Sequence, residues 1–174
     1  MGNFLYRYRG IIGFVAFVIV YFFATPEYKS IFFSIPLLLV GLAIRVWAIG
    51  YIGKYARSKD ISAQVLISAG PYRLIKHPLY LGNFFLVSGI LIAMSPKFII
   101  SLIVLVLFRI EYSLISKTEE KYLNNRFRNA QCITEHSESI SNQKFNWRNV
   151  LFEINTITII VLIYGLIILK IYWR

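Results

Sequence analysis

Residues 79–116 read LYLGNFFLVSGILIAMSPKFIISLIVLVLFRIEYSLIS, two long apolar runs parted only by Ser95, Pro96 and Lys97. About 20 consecutive apolar residues carry a helix across the roughly 30 Å hydrocarbon core of a bilayer, and each run approaches that length. Serine, proline and lysine between two such runs are turn chemistry. The stretch therefore predicts an antiparallel helical hairpin within a membrane, with helices over residues 79–95 and 98–116.

Further runs of the same kind flank it. Residues 10–24 and 31–53 precede the hairpin, and residues 150–173 follow it, apolar apart from Glu153 and Lys170. A secretory signal reading of the first run is disfavoured, because Thr25, Pro26 and Glu27 make a poor cleavage site and more spans follow. Composition agrees: 57% of the 174 residues are hydrophobic and only 16% charged, against about half and roughly a quarter in an ordinary soluble domain. One core of this size cannot hide that much apolar side chain, so the excess is expected to face lipid. The expected fold is all-α, a polytopic membrane helical bundle of about five transmembrane helices forming a single domain over residues 1–174. Cys132 is the only cysteine, which excludes an intrachain disulfide framework and any CxxC metal site; no metal is expected.

Positive residues in short loops collect on the cytoplasmic side, and here they divide unevenly. Thirteen of the 19 lysines and arginines fall before the first span or within residues 54–78 and 117–149, whereas four fall on the other side. That count predicts a cytoplasmic amino terminus and two cytoplasmic segments, 54–78 and 117–149. The net charge of +11 then belongs to membrane flanks and anionic headgroups, and no nucleic-acid partner is expected.

The first of these segments runs into KYARSKDISAQVLISAGPYRLIKHPLYLG, residues 54–82. Gly70 and Pro71 force a bend, and Pro78 suits the first turn of the next helix. His77 is thereby expected at the mouth of the bundle, beside backbone N–H groups that can receive an anion. Taken alone, His77, Tyr72 and Tyr80 read equally well as residues of the membrane interface. In the second segment Glu119 and Glu120 are followed by Leu123 and Phe127, so Glu119 shares a helical face with both.

Together the segments resemble the membrane methyltransferases that include isoprenylcysteine carboxyl methyltransferase and the phospholipid N-methyltransferases. Those share a pattern like GxYxxxRHPxYxG, a helical hairpin, and then EExxLxxxFGxxYxxY. This chain has GPYRLIKHPLYLG at Gly70–Gly82 and EEKYLNNRF at Glu119–Phe127. The resemblance implies S-adenosylmethionine as cofactor, contacted by His77, Pro78, Leu79 and Tyr80. It also implies that Tyr72 and Gln64, Val65, Leu66 and Ile67 close over the cofactor, with Glu119 and Glu120 at a polar end. Lys76 stands where the families have arginine, which keeps the charge but loses the bidentate fork. Arg128, Gln131 and Thr134 replace the tail pattern, and Ile115 stands where prenylcysteine enzymes carry an arginine. The cofactor half of the pattern is better preserved than the acceptor half. The stretch Trp47–Lys54 and the last helix look like bacterial members of the superfamily, which implies a bacterial inner membrane.

The implied reaction is methyl transfer to a lipid-soluble or membrane-associated carboxylate or amine. Charges inside apolar helices are expensive and tend to be functional, so Arg45 and Arg109 are expected to line the acceptor path or brace Glu111, with structural bracing by other partners an equal alternative; Glu120 is a further candidate for proton transfer. Two rival readings are a membrane reductase of the sterol-reductase type using NADPH, which resembles the superfamily around HPxYxG, and a non-catalytic scaffold derived from the methyltransferase fold.

Overall fold

The structure, a computed structural model, describes residues 2–53, 69–130 and 144–173, the side chains of residues 2–6 and 119–130 excepted. Among the described residues there are helices and turns and no strand. We label the helices α1 (Gly2–Phe23), α2 (Tyr28–Ile52), α3 (Pro78–Met94) and α4 (Phe98–Ala130). A helical turn at Trp147–Val150, a 3-10 turn at Leu151–Glu153 and the helix Ile154–Tyr172 run on continuously and together form α5. The protein is thus an all-α membrane bundle. Tyr28–Ile52, Phe98–Thr118 and Trp147–Tyr172 are each long and apolar enough to cross a membrane, and Pro78–Met94 is a shorter apolar helix.

Two turns meet at one end of the bundle. Ser95 ends α3 in the left-handed conformation at φ 44°, and its amide caps Leu91 and Ile92 carbonyls. From the α1–α2 turn, Thr25 donates its amide to the Met94 carbonyl at 3.1 Å and its hydroxyl to the Ser95 carbonyl at 2.8 Å. Ser30 and Ser95 share a hydroxyl hydrogen bond at 2.7 Å. Irregular backbone at a helix end needs such partners, and here each turn satisfies the other. The opposite end therefore gathers the start of α3, the end of α2, the polar extension of α4 and the start of α5.

Helices α2 and α3 form the most extensive pair, and small residues explain how closely they approach. Ser34, Gly41 and Ala48 are all buried on α2 and recur every seven residues; Gly82 and Gly89 do so on α3. A Cβ at Gly82 would stand 2.5 Å from Arg45 Cγ and 3.1 Å from the Gly41 carbonyl oxygen. Without a hydrophobic drive between helices in lipid, this kind of close packing is what holds them together.

Helix α5 runs antiparallel to α2 and is fastened along its length. The Asn146 amide and the Asn149 side chain both donate to the Gly50 carbonyl, at 3.0 and 3.2 Å, which satisfies an otherwise orphaned acceptor at the end of α2. Tyr164 and Ser34 share a hydrogen bond at 2.6 Å. Toward the other end the Tyr21 hydroxyl donates to the Leu166 carbonyl, and the Lys170 ammonium caps the Tyr21 carbonyl at the end of α1. A small apolar core of Val20, Ala24, Leu91, Ala93, Met94 and Ile167 sits at this end. Large apolar residues including Phe14, Phe22, Phe32, Leu39, Ile99, Leu107 and Leu162 point away from the bundle, as a lipid-facing surface requires.

Helix α4 is 33 residues long and continues well past its apolar part. Residues 117–130 hold good helix formers and neither glycine nor proline, so nothing stops the helix where the bilayer would.

Candidate active site between the third and fourth helices

Gly70–Arg73 forms a single 3-10 turn, with Gly70 at φ 59°, where only glycine is unstrained. That turn packs Gly70 against the Tyr51 ring at the end of α2 and returns the chain to the start of α3. Pro78 occupies the first helical position and is buried. His77 is the residue that precedes the helix, in a non-helical conformation.

The side chain of His77 reaches across to α4, where its Nε2 lies 2.6 Å from Ser116 Oγ. Its ring stacks on Tyr80 at 5.3 Å with 16° between planes. Aromatic contacts then continue along the helix interface. Tyr80 meets the edge of Tyr112 at 4.6 Å, Tyr112 lies 4.3 Å from Phe108, and Phe108 lies 6.2 Å from Phe84.

This wall borders a cleft of about 710 Å³, within the range usual for small-molecule sites. Lys76, His77, Ser116 and Lys117 form one part of its lining, Arg109, Tyr112 and Ser113 a second, and Ile75, Leu81, Phe84 and Phe108 an apolar part. On α4 the polar members 109, 112, 113 and 116 recur at intervals of three and four, so they share one helical face. The register of that face continues to Glu119 and Glu120, whose side chains lie outside the described residues.

The amides of Tyr80 and Leu81 turn back onto the His77 carbonyl, at 3.1 and 3.2 Å, and Pro78 has no N–H to offer. The lining also holds the cationic side chains of Lys76, Arg109 and Lys117 and the hydroxyls of Ser113, Ser116 and Tyr112.

Of the sequence-predicted residues, His77 and Tyr80 line the cleft and Arg109 does also. Pro78 and Leu79 shape the start of α3 without entering the lining, and Tyr72 sits half-buried on the preceding 3-10 turn. Gln64, Val65, Leu66 and Ile67 lie outside the described residues. Arg45 is elsewhere and does not brace Glu111. Its guanidinium clasps the fully buried Glu153 of α5 with two hydrogen bonds, Nη2 to Oε1 at 2.8 Å and Nε to Oε2 at 3.1 Å. Arg45 also donates to Asn83 Oδ1, and Asn83 Nδ2 donates to the Tyr112 hydroxyl at 2.9 Å. The reason is position: Arg45 lies on the α2 face that Gly82 and α5 approach, whereas Glu111 lies on α4. Ile115, which stands in place of a family arginine, is fully buried and serves packing.

Sequence reasoning missed Tyr112, Ser113, Ser116, Asn83 and Glu153. For the first three the polar stripe within an apolar helix was the available signal.

A model of the phospholipid methyltransferase family matches residues 29–130, more than half of the chain. The matched stretch holds α2, α3 and α4 with the whole described lining of the cleft, and leaves out α5. No curated protein and no solved structure matches the chain.

Proposed function

This chain belongs to the phospholipid methyltransferase family, and from that premise we propose that it transfers a methyl group from S-adenosylmethionine to a membrane-dissolved acceptor at the α3–α4 cleft. The observation that carries the proposal is the composition of that cleft. An aromatic wall from His77 to Phe84 adjoins cations and hydroxyls at Lys76, Ser116 and Lys117. Such a surface fits a purine on one side and a carboxylate on the other.

When bound, S-adenosylmethionine supplies an electrophilic methyl on a sulfonium sulfur. The chain's own part is alignment and exclusion of water. Tyr80 presents ring surface to a base, Lys76 and Lys117 offset a carboxylate, and Glu119 or Glu120, one turn beyond Ser116 in the sequence, balances an ammonium. His77, held by Ser116, fixes the start of α3 against α4 and so sets the width of the cleft. The apolar residues Phe84 and Phe108 continue the lining between helices whose outer faces are apolar, which gives a lipophilic acceptor a lateral approach. A carboxylate acceptor needs no base, whereas an amine must lose a proton before or during transfer, for which His77 and Glu120 are the candidate acceptors.

Labelled S-adenosylmethionine with a total lipid extract tests the activity. The wild-type protein is expected to label a lipid-extractable product, and His77→Ala or Glu119→Ala to abolish most of the labelling. Equal labelling by the wild type and both variants would overturn the site assignment.

A further inference from the structure

The chain of hydrogen bonds behind Tyr112 has a fixed direction. Arginine has five donors and no acceptor, so the Asn83 amide must turn its oxygen toward Arg45. Its nitrogen is then committed to Tyr112, and because that nitrogen only donates, the Tyr112 oxygen accepts. The hydroxyl proton of Tyr112 is thereby directed away from Asn83. Contacts with Tyr80 at 4.6 Å and Phe108 at 4.3 Å hold the ring, which lines the cleft. At the far end of the chain, Glu153 and Thr156 of α5 hold Arg45.

We infer that Glu153 is a positioning residue: through Arg45 and Asn83 it fixes the Tyr112 hydroxyl as a hydrogen-bond donor to an acceptor-substrate oxygen in the cleft. The oxygen belongs to a carboxylate, phosphate or ester group, all of which accept, and Arg109 on the same face adds a second donor. Glu153 lies outside the family-matched residues 29–130, so α5 takes part in a site that the matched stretch alone does not complete. That the oxygen belongs to a methyl acceptor rests on the proposed function; the direction of the Tyr112 donor does not.

Asn83→Asp separates positioning from support. When ionised, the new carboxyl accepts from both Arg45 and Tyr112, so the last bond then runs from the tyrosine to the carboxylate; because Arg45 already pairs with Glu153, the carboxyl stretch of the variant is read to establish its ionisation. Three measurements on full-length protein are compared across the wild type, Asn83→Asp, Tyr112→Phe, Glu153→Gln and Glu153→Asp. They are the tyrosine Fermi-doublet ratio in Raman difference spectra against Tyr112→Phe, S-adenosylhomocysteine binding, and labelled methyl transfer to total lipid extract at graded lipid concentration.

The expected result is that Asn83→Asp moves the Tyr112 signature from accepting to donating and raises the KM for lipid about tenfold, near the worth of one hydrogen bond to a charged group. Tyr112→Phe, which keeps the ring, should give the same KM rise. Both should leave S-adenosylhomocysteine binding unchanged. Glu153→Gln should show a smaller rise that Glu153→Asp reverses. An unchanged Raman signature in Asn83→Asp with its carboxyl ionised, or a lipid KM in Tyr112→Phe equal to the wild type, overturns the inference. Parallel loss of cofactor binding and lipid KM also overturns it, since the chain would then merely hold the fold. Failure of the wild type to bind S-adenosylhomocysteine would sink the methyl-transfer reading, while the Raman comparison still decides the donor.

Discussion

Arg45 sits within a membrane-length helix, its side chain only 13% exposed, and Glu153 opposite it is 0% exposed. Removing one partner leaves the other charge buried and uncompensated, so Glu153→Ala should lower stability by about 3–5 kcal/mol. Replacing both at once with Arg45→Met and Glu153→Leu should recover most of that, because the desolvation cost disappears along with the pairing. Denaturant unfolding in detergent micelles checks both variants; equal loss in the single and double replacements would show that the pair is not the cause. This pair was invisible in the sequence. The partners are separated by more than a hundred residues, and neither periodicity nor a motif links them. His77 and Tyr80 were legible, since proline and glycine around them mark a turn and a helix start by local chemistry. Tyr112 and Ser116 carried a weaker signal, a polar stripe at helical spacing within an apolar helix.

Among the helices, α2 and α3 approach through Gly41, Gly82 and Gly89, and what a methyl group would meet differs sharply from glycine to glycine. At Gly82 it would meet Arg45 and the Gly41 carbonyl, while at Gly13 and Gly165 it would meet nothing within 4 Å. Gly82→Ala is therefore expected to destabilise by about 1–3 kcal/mol through overpacking against Arg45 and the Gly41 carbonyl. Gly13→Ala and Gly165→Ala should leave stability unchanged or raise it by up to about 1 kcal/mol from helix propensity. Thermal unfolding in one detergent ranks the three; a neutral Gly82→Ala would contradict the close-approach account. The expected helices of the hairpin, residues 79–95 and 98–116, are found as Pro78–Met94 and Phe98–Ala130. The difference at the end of α4 arises because loss of hydrophobicity ends a span but does not end a helix. The seven-residue recurrence of small side chains went unread because a four-residue spacing is the usual sign of close membrane packing.

For the whole molecule, the joined turns at Thr25 and Ser95 put the α3–α4 turn at one end and the cleft at the other. We propose from the loop charges that the cleft end is cytoplasmic, the side from which a soluble cofactor would enter. In a Cys132→Ser background, Lys97→Cys should react with a membrane-impermeant maleimide in intact cells, and Lys117→Cys only after the membrane is opened. The reverse pattern would invert the topology. Fold class was open to sequence reading because lipid imposes long apolar runs, and the family was open because its motif is local. The cleft itself required α3 and α4 to be set side by side in space. Calorimetric titration of S-adenosylhomocysteine into the purified protein tests the central claim most directly. The account predicts saturable binding that weakens tenfold or more, about 1.4 kcal/mol, in both His77→Ala and Tyr80→Ala. Absence of binding, or a preference for NADPH in its place, would contradict it.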